Sequence, residues 1–281
     1  ILEVRRTYCV SLVSAVAVVA LITGCQPVAR EVPERVAAAP EHELEAEVHW
    51  GYEGDEGPEH WADLSPDFAT CREGIGQSPI DLSHSIPAGT VPLERQLAEP
   101  ALTVEQRARV MDLIDNGHTI QVTNDVPMAL DLGDEHYELV QFHFHAPSEH
   151  TFNGEHAPLE AHFVHKSAGG RLAVLGALVK EGEHLPLLDP ILAALPDKPG
   201  DSRHLEDLDL EMSQLRPLPE EYFVYEGSLT TPPCSEGVLW IVLAEMREIS
   251  PDQMAALTSH LHDNNRPVQP LGDRQLNLVS R

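Results

Sequence analysis

The chain has 281 residues, 42% of them apolar, which is enough for one substantial folded domain. It carries 46 acidic and 18 basic residues, so its formal net charge is −28. Because so acidic a surface repels polyanions, the composition excludes nucleic acid and anionic lipid surfaces as natural partners.

The first 24 residues have the pattern of an export signal. Arg5 and Arg6 precede an apolar run over residues 10–22, which is short for a membrane-spanning helix. The ending Leu-Ile-Thr-Gly-Cys resembles a bacterial lipobox and predicts Cys25 as a lipidated first residue. The protein is then an exported bacterial lipoprotein, in the periplasm or anchored at the outer membrane. An ordinary secretory signal and a short membrane anchor are the alternatives.

Residues 25–48 are rich in Pro, Ala and Glu and show no periodic apolar pattern. This composition predicts a flexible acidic tether, followed by a folded domain over residues 49–281.

Two of the four cysteines belong to that domain. Cys9 lies in the signal and Cys25 is the expected lipid site, which leaves Cys71 and Cys234. In an exported protein this pair predicts a disulfide, and two buried free thiols are the alternative.

The middle of the domain indicates a β meander. Alternating and apolar runs predict strands over residues 119–123, 128–132, 137–145, 159–165 and 172–179, with Gly-containing turns between several of them. The short connections favour a large, mostly antiparallel twisted sheet in a mainly β (α+β) fold. Few helices are expected. The better candidate spans 251–262, with Ser250 as N-cap and Gln253 completing a capping box, and a weaker one spans 187–195.

The stretch QFHFHAPSEH, over residues 141–150, carries the first metal-type pattern. With a strand period of two, Gln141, His143 and His145 share one face. Two histidines in this spacing also occur as ordinary surface residues, so a third ligand is needed.

The next strand supplies that ligand, since Glu160 and His162 share one of its faces. A catalytic zinc is typically bound by three protein ligands, such as three imidazoles, with the fourth position open. A structural zinc is bound by four protein ligands. Metal-bound histidines also need their other ring nitrogen fixed, and Gln141 and Glu160 lie on the correct faces for it.

Farther along the chain, two threonines precede a double proline at residues 230–233. Proline restricts the backbone of this segment, so both hydroxyl groups are expected at fixed positions. An ordinary turn is the alternative.

Motifs spread over the whole domain resemble those of the α-class carbonic anhydrases, bacterial exported type. They occur in the family's order: HWGY at 49–52, GPEHW at 57–61, QSPI at 77–80, NGH at 116–118, QFHFHAPSEH at 141–150, EAH at 160–162, GSLTTPP at 227–233 and NNRPVQP at 264–270.

The resemblance implies zinc-dependent, reversible hydration of carbon dioxide to bicarbonate and a proton, by attack of a zinc-bound hydroxide. His143, His145 and His162 match the zinc ligands, while Gln141, Glu160 and the backbone of Asn264 match the groups that orient them. Thr230, paired with Glu149, matches the residue that aims the hydroxide.

Other positions match the family's substrate and proton sites. The substrate-binding matches are Val164, Val174, Leu229, Thr231 and Trp240. His118 matches a proton shuttle, because an imidazole takes and releases protons near neutral pH. Tyr52, Asn116 and Gln121 match the polar wall that orders the relay water.

Some residues depart from the pattern or fall outside it. Ala146 and Asn265 stand where animal members often have aromatic residues, which suggests a wider or wetter surround. Gln121 stands where animal members often have Asn, and none of the three changes removes a ligand. His84, His150, His156 and His165 are expected to be solvated or structural.

Two other functions fit some of these features. A non-catalytic binding module on the same scaffold predicts a substituted ligand or Thr230, and both are intact. A zinc metalloprotease predicts an H-E-x-x-H helix, whereas these ligands fall on strands. Family relatives of the bacterial type also raise the possibility of a homodimer.

Overall fold

The computed structural model describes residues 48–83, 107–125, 128–211, 214 and 220–280. The predicted signal, the tether up to residue 47, Cys25 and His84 lie outside these described residues. Within them, no helix has the length and apolar character needed to cross a membrane.

Short strands dominate the described chain, and four short α-helices accompany them. The helices are α1 (Trp61–Leu64), α2 (Thr70–Glu73), α3 (Leu188–Ala193) and α4 (Pro251–Leu261). The strands are β1 (Asp81–Leu82), β2 (Arg107–Ala108), β3 (Met111–Asp115), β4 (Ile120–Asn124), β5 (Ala129–Leu132), β6 (Glu135–His145), β7 (Thr151–Phe152), β8 (Glu155–His156), β9 (Leu159–Ser167), β10 (Leu172–Glu181), β11 (Ser202–Leu205), β12 (Leu210–Glu211), β13 (Glu221–Ser228), β14 (Glu236–Leu243), β15 (Arg247–Ile249) and β16 (Asn277–Ser280).

An eleven-stranded sheet organises the fold, in the order β11-β3-β4-β6-β9-β10-β14-β13-β16, with β5 on β6 and β15 on β10. This confirms the mainly β fold and the central, mostly antiparallel sheet. The exceptions are at β10, which pairs in parallel with β14 and β15. A parallel pair needs a long crossover, and the chain between β10 and β14 is long enough to provide one.

Positive φ angles mark the predicted turns. Gly133 (φ 63°) separates β5 from β6, and Gly170 (φ 86°) separates β9 from β10. Asn153 and Gly154, with φ of 51° and 81°, form the turn of the small β7–β8 hairpin. That hairpin lies between β6 and β9, so the chain makes an extra excursion before the second histidine strand begins.

Helix α4 begins as its sequence predicts. The Ser250 side chain accepts from the Gln253 backbone N–H, and the Gln253 side chain returns to the Ser250 backbone, which completes the capping box. The helix ends where His262 adopts the left-handed conformation, with φ 46°. The weaker helix prediction is confirmed as α3, which is shorter than expected.

The two faces of the sheet pack against different hydrophobic cores. On one face, Phe142 and Phe163 are fully buried with ring centroids 5.3 Å apart, and they share a core with Leu257 of α4. Burying each such ring contributes roughly 1.5–3 kcal/mol. On the other face, Val174 and Trp240 belong to a second core. The alternation of β6 and β9 turns the three predicted ligands away from the phenylalanine core, which fixes their strands rigidly from behind.

Cys71 and Cys234 form a disulfide, as predicted. The bond joins α2 to the loop between β13 and β14, across a sequence separation of 163 residues. It therefore ties the start of the described domain to the segment that carries Thr230 and Thr231.

Candidate metal centre and active site

The three predicted ligands meet on neighbouring strands. His143 of β6 lies directly opposite His162 of β9, and His145 lies two residues along β6 on the same face. One ring nitrogen from each histidine lies within 4.8 Å of the others, so the three side chains could hold a metal ion.

Each ring has its other nitrogen held by a protein oxygen. Gln141 Oε1 lies 2.8 Å from His143 Nδ1, and the Asn264 carbonyl oxygen lies 2.6 Å from His145 Nδ1. Glu160 Oε1 lies 3.0 Å from His162 Nε2, an ion-pair distance, although the angle does not make it a hydrogen bond and this nitrogen has no other partner among the described residues. Such contacts fix the tautomer and the orientation of a metal-binding imidazole.

The remaining nitrogens suit a metal cation. His145 Nε2 is buried and has no hydrogen-bond partner among the described residues. Burial and the neighbouring imidazoles lower the pKa of His143 well below its ordinary value, and burial also lowers the pKa of His145. Both rings are therefore neutral at pH 7, with lone pairs available to a metal.

The Glu160 carboxylate is fully buried and organises the surroundings of His162. Its Oε2 accepts from the backbone N–H groups of Glu149 (2.9 Å) and His150 (2.8 Å). Burial acts to raise the pKa of Glu160, but the His150 and His162 rings outweigh it, and the pKa lies well below its ordinary value. The side chain is thus a fixed negative charge behind the metal ligand.

A buried polar chain continues behind Glu160. His150 Nδ1 lies 2.7 Å from Glu160 Oε1, and His150 Nε2 lies 2.6 Å from the Tyr225 hydroxyl. That hydroxyl lies 2.9 Å from Ser78 Oγ. His150 is therefore structural, one of the two roles expected for it, and it is not solvated.

Sequence reasoning missed Tyr225 and Ser78. A tyrosine inside an apolar strand is one available signal, because a buried phenol needs a hydrogen-bond partner.

Glu149 lies beside the metal ligands with its two oxygens in different situations. Oε1 accepts from the Arg266 backbone N–H at 2.9 Å, whereas Oε2 is buried without a hydrogen-bond partner in the described part of the chain. Oε2 also lies 3.8 Å from His162 Nδ1. The hydrogen bond that the family resemblance implies from Thr230 to this carboxylate is not formed in this structure.

Thr230 lies in the loop between β13 and β14, and only 5% of its surface is exposed. Two backbone bonds close the loop: Leu229 N–H donates to Ser235 O at 3.0 Å, and Cys234 N–H donates to Thr231 O at 2.8 Å. Together with the disulfide at Cys234, these bonds hold both threonines in a defined position.

The apolar residues matched to the substrate wall come together. Val174 of β10 pairs with Val164 of β9 on one side and with Trp240 of β14 on the other, and Leu229 packs against the same core. The Trp240 ring centroid lies 4.8 Å from that of His162. An apolar wall therefore adjoins one of the predicted ligands.

His118 lies in the turn between β3 and β4, and its ring stacks on Trp50 at 3.7 Å with an interplanar angle of 5°. Asn116 Oδ1 accepts from the His118 N–H at 3.0 Å and from Thr119 N–H at 2.9 Å, which fixes the turn. Burial, with the imidazole of His49, lowers the pKa of His118, although Asp115 opposes this effect.

Of the other relay matches, Gln121 lies beside a predicted ligand, whereas Tyr52 lies near His118. Gln121 pairs with His143 across β4 and β6. Burial, and then the Glu149 charge, raise the pKa of Tyr52 well above its ordinary value, so its phenol stays neutral. The Tyr52 ring centroid lies 6.5 Å from that of His118.

Two further histidines differ from each other in setting. His156 is exposed, with Nδ1 2.6 Å from the Ser148 carbonyl oxygen. His165 is fully buried on the opposite face of β9 from His162 and is therefore not solvated.

Three imidazoles that converge from adjacent strands define the tri-histidine class of metal centre, which has room for further ligands. A family model described as eukaryotic-type carbonic anhydrase matches residues 56–280. The chain belongs to the α-class carbonic anhydrases.

Similar proteins come from several bacteria. A carbonic anhydrase of Nostoc sp. is 43% identical over 227 residues, covering 81% of this chain and 84% of the relative. One from Pectobacterium carotovorum is 42% identical over 228 residues, covering 81% and 89%. The solved structure of the α-carbonic anhydrase from Thermovibrio ammonificans, in complex with the inhibitor sulfanilamide, is 43% identical, with a TM-score of 0.74 over 82% of this chain and 98% of that one.

Proposed function

We propose that the protein catalyses the reversible hydration of carbon dioxide to bicarbonate and a proton, with zinc held by His143, His145 and His162. The observation that carries this proposal is the convergence of three ring nitrogens within 4.8 Å. Membership of the carbonic anhydrase family supports the same reaction.

The donor set suits zinc, since imidazole nitrogens bind it well and each ring is oriented from behind. Burial acts to lower the pKa of His162, but Glu160 outweighs it and raises this pKa, so zinc binding there would displace a proton. Zinc in such a site lowers the pKa of a water ligand to about 7, a value for which carbonic anhydrases are themselves the standard example. Gln141, Glu160 and the Asn264 carbonyl then act by fixing the donor geometry.

Glu149 and Thr230 orient the attacking oxygen. Since Glu149 Oε2 is an acceptor without a hydrogen-bond partner among the described residues, the Thr230 hydroxyl can donate a hydrogen bond there. Thr230 Oγ1 then has only lone pairs to present, so it accepts a hydrogen bond from the reacting oxygen and turns it toward the substrate. Orientation of this kind is a large part of many catalysed rates.

Carbon dioxide has neither a charge nor a hydrogen-bond donor, so an apolar wall suits it. Val164, Val174, Leu229 and Trp240 supply that wall next to His162. The product is a charged oxyanion and leaves the apolar wall readily, with the Thr231 hydroxyl nearby as a polar contact.

His118 carries the released proton outward. A lowered pKa favours the neutral ring, which can accept a proton and then release it again. Tyr52, Asn116 and Gln121 contribute polar groups that hold water between the metal centre and this ring.

A stopped-flow carbon dioxide hydration assay tests the proposal, with and without a chelator and a sulfonamide. Hydration that both reagents abolish supports it. The alternative, a non-catalytic binding module, predicts zinc and sulfonamide binding with no hydration above the uncatalysed rate, and this result would overturn the proposal.

The proposed cellular location of the protein is based on the sequence of residues 1–25. We propose export with lipidation at Cys25, supported by the charged start, the short apolar run and the lipobox-like ending. Palmitate labelling in a bacterial host tests this, with Cys25→Ser as the control that should lose the label. We also propose a homodimer, from the family resemblance alone, and light scattering of the purified protein tests it.

A further inference from the structure

The buried side chain of Gln77 lies between two segments of the proposed active site. It is 3% exposed and belongs to the connection from α2 to β1. Its Nε2 donates to the Cys234 carbonyl oxygen at 3.1 Å and to Glu236 Oε1 at 3.0 Å. Its Oε1 accepts from the Arg266 guanidinium at 3.0 Å. Because a guanidinium only donates and a carboxylate accepts, these partners fix which end of the amide faces each side. Cys234 belongs to the threonine loop, residues 229–235.

Two of these contacts hold the threonine loop, which carries Thr230. Inside the loop, the Cys234 N–H donates to Thr231 O at 2.8 Å. The bond from Gln77 to the Cys234 carbonyl oxygen therefore holds the same residue from outside the loop. Glu236 follows the loop directly. The hydrogen bond from Gln77 is the main cause that lowers the pKa of Glu236, although burial opposes it, so this carboxylate is an ionised acceptor at pH 7.

The remaining contact leads to Glu149. The Arg266 side chain donates to Gln77 Oε1, while the backbone N–H of the same residue donates to Glu149 Oε1 at 2.9 Å. Further bonds from the guanidinium to Ser78 O (2.7 Å) and Cys71 O (2.8 Å) leave it little freedom to move. Gln77 therefore contacts the threonine loop on one side and the residue that holds Glu149 on the other.

The packing around the Gln77 amide is tight. A Cβ added at Gly74 would overlap both this amide and the Glu236 carboxylate, so the glycine provides the space that they occupy. The Gly76 N–H donates to Glu236 Oε1 at 2.6 Å and holds that carboxylate from another direction. A shift of the Gln77 side chain must therefore shift its partners as well.

Resting on the proposed function, we propose that Gln77 is a positioning residue that sets how the Thr230 hydroxyl group meets Glu149 Oε2. These two groups belong to distant segments of the chain, so their alignment depends on what connects the segments. Hydrogen bonds weaken steeply as their geometry departs from the ideal, and a small displacement of the threonine loop relative to Glu149 therefore costs rate. The hydrogen-bond partners of Gln77 in the described part of the chain are neither predicted metal ligands nor substrate-wall residues, so it acts through Thr230 and Glu149.

Gln77→Glu tests this role in the zinc-loaded protein. The variant keeps the shape of the side chain and the acceptor for Arg266. It has no donor for the Cys234 carbonyl oxygen, and it places a second carboxylate beside Glu236. We expect kcat/KM for carbon dioxide hydration, measured by stopped flow at saturating buffer, to fall about tenfold with zinc content unchanged. In Gln77→Glu/Glu236→Gln the donor and the acceptor are exchanged, and the restored bond should recover about threefold.

Gln253→Glu is the matched control. Gln253 is likewise 3% exposed and lies in α4, which packs against the phenylalanine core. Its Nε2 also donates to one carbonyl oxygen and one carboxylate, those of Leu185 (2.7 Å) and Asp189 (2.9 Å). The control variant should lower the thermal midpoint about as much as Gln77→Glu does, and it should leave kcat/KM within about twofold of the original value.

A double-mutant cycle separates positioning from a general loss of structure. Since Gln77 acts through the Thr230 hydroxyl group, Gln77→Glu should change kcat/KM by less than about twofold in the Thr230→Ala background. Glu236→Ala provides a second cycle at an exposed residue. Loss of one of the two bonds there should lower kcat/KM about threefold, and Thr230→Ala should cancel this effect too.

Losses of about tenfold in both backgrounds would overturn the inference, because the two residues would then act independently. An unchanged kcat/KM in Gln77→Glu, or an equal loss in Gln253→Glu, would also overturn it. If Gln77→Glu does not fold, the Glu236→Ala cycle decides, and an unchanged kcat/KM in Glu236→Ala counts against the inference. Each of these results, with chelator-sensitive hydration intact in the original protein, leaves the proposed function standing. An original protein without chelator-sensitive hydration would overturn both.

Discussion

A hydrogen bond links the Glu149 side chain to the Arg266 main chain: the Arg266 backbone N–H donates to Glu149 Oε1 at 2.9 Å. The Arg266 side chain is itself fixed, because its guanidinium donates to Ser78 O (2.7 Å) and Cys71 O (2.8 Å). Glu149 Oε1 is therefore held by a rigid part of the core. Glu149 Oε2 has no hydrogen-bond partner among the described residues, so it can accept a hydrogen bond from a hydroxyl group.

Thr230→Ala tests whether Thr230 is that donor. Losing it should leave zinc content unchanged and reduce kcat/KM by about a hundredfold, since misplaced reacting groups cost rates of this order. Thr230→Ser keeps the hydroxyl and should recover most of the activity. Stopped-flow hydration and zinc analysis measure both quantities, and an equal loss in the serine variant would contradict the proposed role.

Removing a ligand should remove the metal. We expect His162→Ala to lose both zinc retention after dialysis and hydration, because two imidazoles with weak additional ligands hold zinc poorly. His136→Ala is the matched control, since His136 is exposed on β6 and pairs with Asp131 at 2.6 Å, and it should keep one zinc per chain. Full activity in metal-free His162→Ala would reject the metal assignment.

The hydroxyl of Tyr225 should influence zinc affinity from behind Glu160. Tyr225→Phe leaves His150 Nε2 and Ser78 Oγ without this partner, which should cost about 1–3 kcal/mol of folding free energy. We expect about tenfold weaker zinc binding, as found for groups behind metal ligands. Competition with a fluorescent chelator measures it.

Tyr137→Phe controls for the general loss of a phenol, because the Tyr137 hydroxyl donates to Glu135 at 2.9 Å, away from the metal ligands. It should bind zinc normally. Identical zinc affinities in the two variants would show that the Tyr225 contact does not reach the metal centre.

Proton export through His118 should appear in the buffer dependence. We expect His118→Ala to slow turnover chiefly in dilute buffer, because proton removal then limits the rate, and added imidazole should restore it. An unchanged rate at low buffer would show that another group carries the proton.

The lowered pKa of His118 predicts how the folding stability of the protein changes with pH. Since burial and His49 lower its pKa, the folded protein binds fewer protons than the unfolded chain just below the ordinary value of 6.5. The neutral ring therefore contributes stability that is present above about pH 6.5 and lost as the pH falls. NMR titration of the ring protons should give a midpoint below 6.5. His49→Ala should move it upward, and His136→Ala should leave it unchanged.

The sequence predicts the strands and the close approach of the three histidines because both depend on local alternation. Two short strands with a period of two suffice to turn His143, His145 and His162 to one side. Pairing of β6 with β9 then brings these histidines together, independently of the order of the other strands.

Long-range contacts are less accessible to sequence reasoning. The parallel pairs at β10 depend on how the chain crosses the sheet, and the contact of Tyr225 with His150 joins residues 75 positions apart. The pocket beside His118 gathers residues from four distant segments. No local sequence pattern predicts contacts between residues so far apart in the chain. The stacking of His118 on Trp50 likewise depends on side-chain packing.

The spacing of the ligands also bears on how such a protein can change during evolution. All three histidines lie within twenty residues on one pair of strands, whereas Thr230 and His118 belong to distant segments. Mutations in those segments can therefore lower turnover and spare metal affinity. A descendant of this gene could keep the three converging histidines and acquire a different function.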